Sequence, residues 1–186
     1  MHRRTLMSAL IEWSKAIQQT RAFAPKLIRH VRLHGLAWLL LIALLMAVQA
    51  NYRIAINRTP SLPYRVYLVC LGDSVPTDGF IAFTWHHGKP FPDGTVFTKR
   101  LLASAGEEVV RQGRDFHIGP INLHGKDHGL TGRQLFPNGE LQEGVNQIPP
   151  GKYFVGGDHA YSLDSRYNLL GLVDQKDVIG RAYPIF

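Results

Sequence analysis

The hydrophobic pattern of the chain has one long apolar run near the N-terminus. From Gly35 to Val48 (GLAWLLLIALLMAV) no side chain is charged or strongly polar, and the run extends to Ala50. A helix of residues 35–50 is about 24 Å long at 1.5 Å per residue, a little short of the ~30 Å hydrocarbon core of a bilayer. Because the run has no polar face, it predicts one membrane-spanning helix rather than a buried helix of a soluble domain.

After residue 50 the pattern changes to short apolar runs that alternate with turn residues. The tripeptides PDG, PNG and PPG separate these runs, as is typical of hairpins and tight turns. The pattern predicts a mainly β, antiparallel domain. The predicted strands are Tyr64–Leu71, Gly79–Trp85, Thr95–Ala103, Glu108–Gln112, Tyr153–Gly156 and Val178–Ile185. Residues 112–150 are rich in Gly, His and polar groups, which predicts an insertion or cap on the sheet.

The positive charge lies almost entirely before the apolar run. The formal net charge is +7, and seven Lys or Arg side chains precede Gly35 against one acidic side chain. The rest of the chain is nearly neutral, so nucleic acid is not a predicted partner. The positive-inside rule places the N-terminus in the cytoplasm and residues 51–186 outside the membrane.

A cleaved signal peptide is the alternative to a retained anchor. Val48-Gln49-Ala50 resembles a cleavage site, but the region before the run is over thirty residues long, far beyond a usual n-region. The sequence therefore favours three parts. They are a cytoplasmic basic arm at 1–34, a transmembrane anchor at 35–50 and a periplasmic domain at 51–186.

Cysteine and histidine suggest no further site. Cys70 is the sole cysteine, so no intrachain disulfide can form, and its apolar neighbours predict a small buried strand residue. His124 and His128 have a spacing that suits zinc on a helix, but Gly125 and Gly129 argue against a helix there. We expect no metal and no other cofactor.

Two residues form a candidate catalytic pair. Ser61 lies between Pro60 and Pro63 in RTPSLPYRVYL, where proline makes the turn stiff and extended. Lys99 follows 38 residues later within an apolar strand, in VFTKRLLASAGEEV. Burial disfavours the ammonium form and lowers the pKa of a lysine, which makes it a usable general base near neutral pH. Ser61 with Lys99 would then be a serine–lysine activated nucleophile.

A third segment, GGDHAYSLDSRYNLLGLVDQKDVIGRAYPIF, closes the chain. With all three segments in this order and spacing, the region from Asn57 onward resembles the signal-peptidase-I superfamily of serine–lysine proteases. Within it, the chain is most similar to the TraF-type conjugative-transfer maturation peptidases, which process pilin precursors. It differs from their pattern at Arg65, where glycine is preferred, and at His159, where asparagine is usual.

The resemblance implies a role for each matching residue. Ser61 corresponds to the nucleophile and Lys99 to the general base. Asp164 corresponds to a functional aspartate. The supporting residues are Thr59, whose hydroxyl helps to bind the oxyanion, Ser162, which orients the lysine, and Arg166, which supports the same wall.

The function that follows is a membrane-anchored serine endopeptidase on the outer face of the bacterial inner membrane. The TraF-type resemblance implies a pilin precursor as substrate, processed and also cyclised, within a conjugation or type IV secretion system. The alternative within the enzyme class is a general type I signal peptidase that acts on other exported, membrane-bound proteins. A non-catalytic scaffold and a self-cleaving repressor are the rivals outside it, and the apolar run speaks against the repressor.

Overall fold

A computed structural model describes residues 2–75 and 78–186, with side chains described for Trp13 and from Pro25 onward. The chain divides into two compact units, residues 1–49 and 50–186. Helix α1 runs from His2 to Asn51 and contains the whole predicted anchor. Its part Pro25–Asn51 is long and apolar enough to cross a membrane, with a mean hydropathy of 2.1 over its most apolar 18 residues. Except for Trp13, the side chains of the basic arm before Pro25 lie outside the described residues.

The described part of residues 50–186 is mainly antiparallel β, which confirms the predicted fold class. In chain order the strands are β1 Tyr52–Ile56, β2 Val66–Leu71, β3 Phe80–Thr84, β4 Val96–Ala103, β5 Glu108–Gln112, β6 Asp115–Ile118, β7 Ile121–His124, β8 Gly144–Gln147, β9 Lys152–Gly156, β10 Val173–Asp174 and β11 Val178–Pro184. A short 3₁₀ helix, Gln175–Asp177, precedes β11. Each of the six predicted strands is present, with ends that differ by at most two residues.

Within the described residues the strands form two sheets. The larger has the order β1-β2-β11-β3-β4-β9-β10, and the smaller has the order β7-β6-β5-β8. The smaller sheet occupies much of the region 112–150, where no strand is predicted beyond Gln112. Strands β6, β7 and β8 have four residues each. They lie in a stretch rich in Gly, His and polar residues, which obscures a strand pattern.

Strand β1, like the two-residue β10 and the short 3₁₀ helix, is also not predicted by the pattern. Its sequence YRIAI follows the apolar run directly, so no turn residue marks where the helix ends and the strand begins. Cys70 lies in β2 as predicted, but it is only half-buried. It alternates with the buried Val69 and therefore points to the opposite face of the sheet.

The register of β4 determines where Lys99 points. Lys99 pairs with Ile81 of β3, and Phe97 pairs with Phe83. Because side chains alternate along a strand, Lys99 shares a face with Phe97 and Leu101, which pack in one hydrophobic cluster with Ile81 and Phe83. The fold thus directs the lysine side chain towards the core.

Candidate active site

Lys99 is buried against the apolar face of β4. Its exposed fraction is 3%. Nζ donates a hydrogen bond of 2.8 Å to Ser162 Oγ. Burial lowers the pKa of Lys99 to about 8, partly opposed by the charge of Asp164, which raises it. A substantial fraction of this amine is therefore neutral near pH 8, and a neutral amine can accept a proton.

Ser61 lies in the loop between β1 and β2 and is also buried, with 5% exposure. Its carbonyl oxygen accepts a hydrogen bond of 2.8 Å from the Asp158 amide. The next residue, Leu62, packs in a core cluster with Tyr67 and Val69. The loop is thus held at Ser61 itself and at the residue that follows it.

Thr59 contacts the Ser61 hydroxyl. Thr59 Oγ1 lies 3.0 Å from Ser61 Oγ and 3.1 Å from Asn57 Oδ1. Because the Asn57 oxygen can only accept, the single threonine proton satisfies it while Thr59 Oγ1 accepts from Ser61. Within the described residues, Lys99 Nζ bonds to Ser162 and not to Ser61. A rotation about the Ser61 side chain is needed to direct its proton towards Lys99, and hydrogen bonds of this kind often tighten only when substrate binds.

Gly157 allows Ser162 and Ser61 to approach each other. A Cβ atom at this position would overlap the Ser162 side chain and would lie 2.8 Å from the Ser61 carbonyl oxygen. The Gly157 amide donates a hydrogen bond of 3.0 Å to Asp164 Oδ2. Sequence reasoning did not single out this glycine, although the pair of glycines before Asp158 was a signal for a close backbone approach.

Asp164 and Arg166 form a buried, bidentate ion pair. Arg166 Nε and Nη2 each donate a hydrogen bond of 2.8 Å to the Asp164 carboxylate. Arg166 Nη1 also donates to the His124 carbonyl at 2.9 Å, and Nη2 donates to the Ser162 carbonyl at 3.3 Å. The pair therefore fixes the segment that carries Ser162 and joins it to β7.

One cavity of about 520 Å³ brings most of the predicted site residues together. Thr59, Ser61, Lys99 and Ser162 line it, whereas Asp164 and Arg166 lie behind the wall. The other lining residues are Pro60, Pro90, Phe91, Phe97, Gly129, Leu130, Thr131, Arg133, Leu135, His159, Tyr161, Leu163 and Leu169. The wall is mainly apolar and therefore suits a peptide with small or apolar side chains.

A second ion pair close to the site was missed by sequence reasoning. Arg100 Nε and Nη2 donate to Asp158 at 3.1 and 3.0 Å. Arg100 follows Lys99 and points to the opposite face, where its guanidinium lies over the Phe80 ring. The pair joins β4 to the residue whose amide holds the Ser61 carbonyl. No short-range pattern could show this, because the two residues are 58 positions apart.

Of the histidines in the described part of residues 50–186, His159 lines this cavity and the others do not. His124 Nδ1 lies 2.6 Å from Asp115 Oδ1 in the smaller sheet. Among the described residues, no group of three or more His, Cys, Asp or Glu side chains could hold a metal ion.

Comparison with known proteins shows similarity to a family model, to a curated relative and to a solved structure. The family model for signal peptidase, peptidase S26, matches residues 27–186. The chain is 30% identical to signal peptidase I V of Bacillus subtilis (strain 168) over 98 residues. This matched region is 48% of this chain and 56% of that protein. The chain thus spans about half the length of this curated relative. A crystal structure of a signal peptidase I from Enterococcus faecalis V583 is 27% identical and matches 59% of this chain and 98% of that chain, with a TM-score of 0.35.

The burial of Lys99 predicts a stability that depends on pH. Between pH 8 and 10.5 the unfolded chain retains the Lys99 proton that the folded chain has released, so the free energy of unfolding rises with pH. At 1.36 kcal/mol per pKa unit the rise is about 3 kcal/mol, and below pH 8 the full penalty remains. Lys99→Met removes this pH-dependent contribution to the free energy of unfolding. Its stability relative to the wild type should therefore fall by about 3 kcal/mol from pH 7 to pH 10.5.

Denaturant unfolding of the full chain in detergent, followed by tryptophan fluorescence, measures this difference. Lys176→Met is the matched control, because the Lys176 side chain is 78% exposed. It should leave the pH dependence unchanged. A pH-independent difference between Lys99→Met and the wild type would contradict a lowered lysine pKa.

The buried ion pair predicts a large cost for removing one partner. Asp164→Asn leaves the Arg166 charge buried without a counter-ion, so the free energy of unfolding should fall by about 3–5 kcal/mol. The matched control is Asp158→Asn, which breaks a partly exposed pair and should cost about 1 kcal/mol or less. Equal losses of unfolding free energy in the two variants, measured by the same assay, would show that the buried Asp164 pair stabilises the fold no more than the exposed Asp158 pair.

Proposed function

The chain belongs to the signal peptidase family, peptidase S26, which is a family of serine peptidases, and we propose that it is a membrane-anchored endopeptidase with Ser61 as nucleophile and Lys99 as general base. The observation that carries this proposal is the buried Lys99 amine, with a pKa of about 8, in the wall of the cavity that also contains Ser61. A lysine that remained a surface cation could not accept the serine proton near neutral pH.

The proposed reaction begins with proton transfer from Ser61 Oγ to neutral Lys99 Nζ. The serine oxygen attacks the carbonyl carbon of the peptide, and the carbonyl oxygen becomes an oxyanion. The Ser61 amide donates a hydrogen bond to that oxyanion, and the Thr59 hydroxyl does the same after its proton turns away from Asn57 Oδ1. The C–N bond then breaks, Lys99 returns the proton to the leaving amine, and an ester remains on Ser61. Water activated by Lys99 hydrolyses the ester and regenerates the hydroxyl.

The remaining candidate residues position this pair. Ser162 accepts the Lys99 hydrogen bond and fixes the direction of the amine. Asp164 acts on Lys99 through its charge and holds Gly157 and Arg166, as described above. Asp164 is therefore a positioning residue in this proposal, behind the wall rather than in contact with substrate.

The apolar helix and the family membership fit a membrane-anchored protein. We propose that the N-terminus is cytoplasmic and that residues 51–186 are periplasmic, at the bacterial inner membrane. The support is the charge asymmetry, since the basic residues lie before the apolar run.

The substrate is an exported or membrane-bound polypeptide in this proposal. The TraF-type motifs around Ser61, Lys99 and Asp164 favour a conjugative pilin precursor and partners in a conjugation or type IV secretion system. The name of the Bacillus subtilis relative favours removal of signal peptides from exported proteins. Both substrates need the same catalytic pair, so the identity of the product distinguishes them.

The proposed pair predicts that Ser61→Ala, Lys99→Ala and Lys99→Arg each abolish processing. The arginine variant should fail because guanidinium stays protonated and cannot act as a base. Wild-type processing should rise with pH up to about 8, as Lys99 loses its proton. Co-expression with candidate precursors, followed by the intact mass of the products and rates at several pH values, measures both effects.

Two further results would separate catalysis from folding. Asp164→Asn removes a carboxylate that raises the Lys99 pKa, so the acid limb of the rate profile should move to lower pH. Lys176→Arg, at an exposed position, should leave the profile unchanged. An active Lys99→Arg protein, or full function of a folded Ser61→Ala protein, would eliminate the mechanism and favour a scaffold.

The charge asymmetry predicts one membrane span with the C-terminus outside. An alkaline phosphatase fusion after Phe186 should be active in the periplasm, and a reporter that works only in the cytoplasm should be inactive at the same position. The opposite pattern would reverse the orientation. A mature N-terminus at Asn51, determined by sequencing, would make residues 1–50 a cleaved signal peptide.

The nature of the product tests the pilin assignment. If the other end of the same pilin is held at the site in an ideal geometry, its amine has an effective concentration of ~10⁵ M or more and can open the Ser61 ester before water does. We expect a cyclic product that is lighter by one water than the hydrolysed chain and has no free N-terminus. Mass spectrometry of the product from the purified pair in lipid measures this. A linear product would agree with the peptidase proposal and contradict the predicted cyclisation.

A further inference from the structure

A short hairpin contributes a charged residue to the cavity. His128 pairs with Gln134, and the Gly129 amide donates to the Arg133 carbonyl at 2.8 Å. We refer to residues 128–134 as the cavity hairpin. Immediately after it, the buried Leu135 also lines the cavity, and its amide donates to the Asp127 carbonyl at 2.8 Å. The hairpin is thus attached at its base, while Leu130 at its tip is 71% exposed.

Arg133 has no counter-ion within the described part of the chain. Its side chain is exposed, and it lines the cavity together with Ser61 and Lys99. The acidic residue nearest in sequence, Asp127, pairs with Arg114 at 2.7 Å. No Asp or Glu is among the described residues that line the cavity. Arg133 therefore provides a positive charge at the cavity wall that nothing in the described wall balances.

We propose that Arg133 is a specificity-determining residue that binds the carboxylate of an Asp or Glu side chain close to the scissile bond of the polypeptide substrate. This inference rests on the proposed peptidase function of the same cavity. Guanidinium presents a planar pair of N–H donors that matches a carboxylate. An extended peptide advances about 3.3 Å per residue, so a cavity of about 520 Å³ holds only a few residues. The acidic residue consequently lies within a few positions of the cleaved bond.

Peptide selection tests this inference without requiring catalysis. The full chain with Ser61→Ala is immobilised in detergent and exposed to a randomised library of short peptides, and mass spectrometry identifies the retained peptides. Peptides with Asp or Glu should be retained about fivefold better than their Asn or Gln counterparts, the effect expected of a partly screened ion pair. Adding Arg133→Glu should reverse the preference towards Lys, a change that loss of folding cannot produce. Adding Lys176→Glu, an equal charge reversal outside the cavity, should leave the preference for acidic peptides intact.

The inference is overturned if the protein with native Arg133 and the Arg133→Glu variant retain the same peptides. It is also overturned if neither protein distinguishes peptides that contain Asp from peptides that contain Asn. A parallel cleavage assay with intact Ser61 tests the proposed function separately. Selection of acidic peptides that depends on Arg133, without cleavage by the protein with intact Ser61, would support the carboxylate site and contradict the peptidase proposal. Cleavage that depends on Ser61, with a peptide preference that does not depend on Arg133, would support the peptidase proposal and contradict the carboxylate site.

Discussion

The burial of the Lys99 amine is the constraint on which the candidate site depends. Removing an ammonium group from water is costly, so the fold stabilises the amine by one hydrogen bond and shifts its protonation. Asp164 alone would favour the charged form, but its pairing with Arg166 opposes this effect, since the Arg166 charge lowers the pKa of Lys99. The result is a lysine that loses its proton near pH 8 rather than above pH 10. A less buried lysine would remain protonated in the pH range where a general base is needed. Lys99 would also remain protonated there if Asp164 had no paired arginine.

Close backbone packing places the other residues of the candidate site near this amine. Ser162 is 63 residues from Lys99, and Gly157 leaves the space in which the Ser162 side chain and the Ser61 carbonyl lie. The Arg100–Asp158 pair on the opposite face of β4 joins the same segment to the strand that carries Lys99. The lysine therefore belongs to a rigid strand, while the serine loop is fixed by the core residue Leu62 and by a backbone hydrogen bond. Preorganisation of this kind is what a serine–lysine pair requires, because neither group is reactive in water.

The cavity wall is built from separate parts of the chain. The residues that hold Lys99 and Ser61 come from the larger sheet and the closing segment. One wall of the cavity, by contrast, is formed by residues 129–135, which follow β7 of the smaller sheet. The two proposals therefore assign chemistry and selectivity to different parts of the chain. They imply that changes in the hairpin alter which peptide is bound without disturbing the burial that sets the Lys99 pKa.

The sequence alone determined the apolar helix and six strands, because each has a local signal: uninterrupted apolarity, or a short apolar run bounded by turn residues. It also predicted the serine–lysine pair, from proline around a serine and a lysine within an apolar strand. It also indicated that Lys99 faces inward, since the residue lies in an apolar strand. Only the tertiary structure decided that β6, β7 and β8 form a second sheet, that Asp164 lies behind the cavity wall, and that Arg133 reaches the cavity. These features depend on contacts between residues far apart in sequence, which pack and hydrogen-bond only after the chain has folded. The three short strands lie in a stretch rich in Gly, His and polar residues, and a single charged side chain carries no periodic signal.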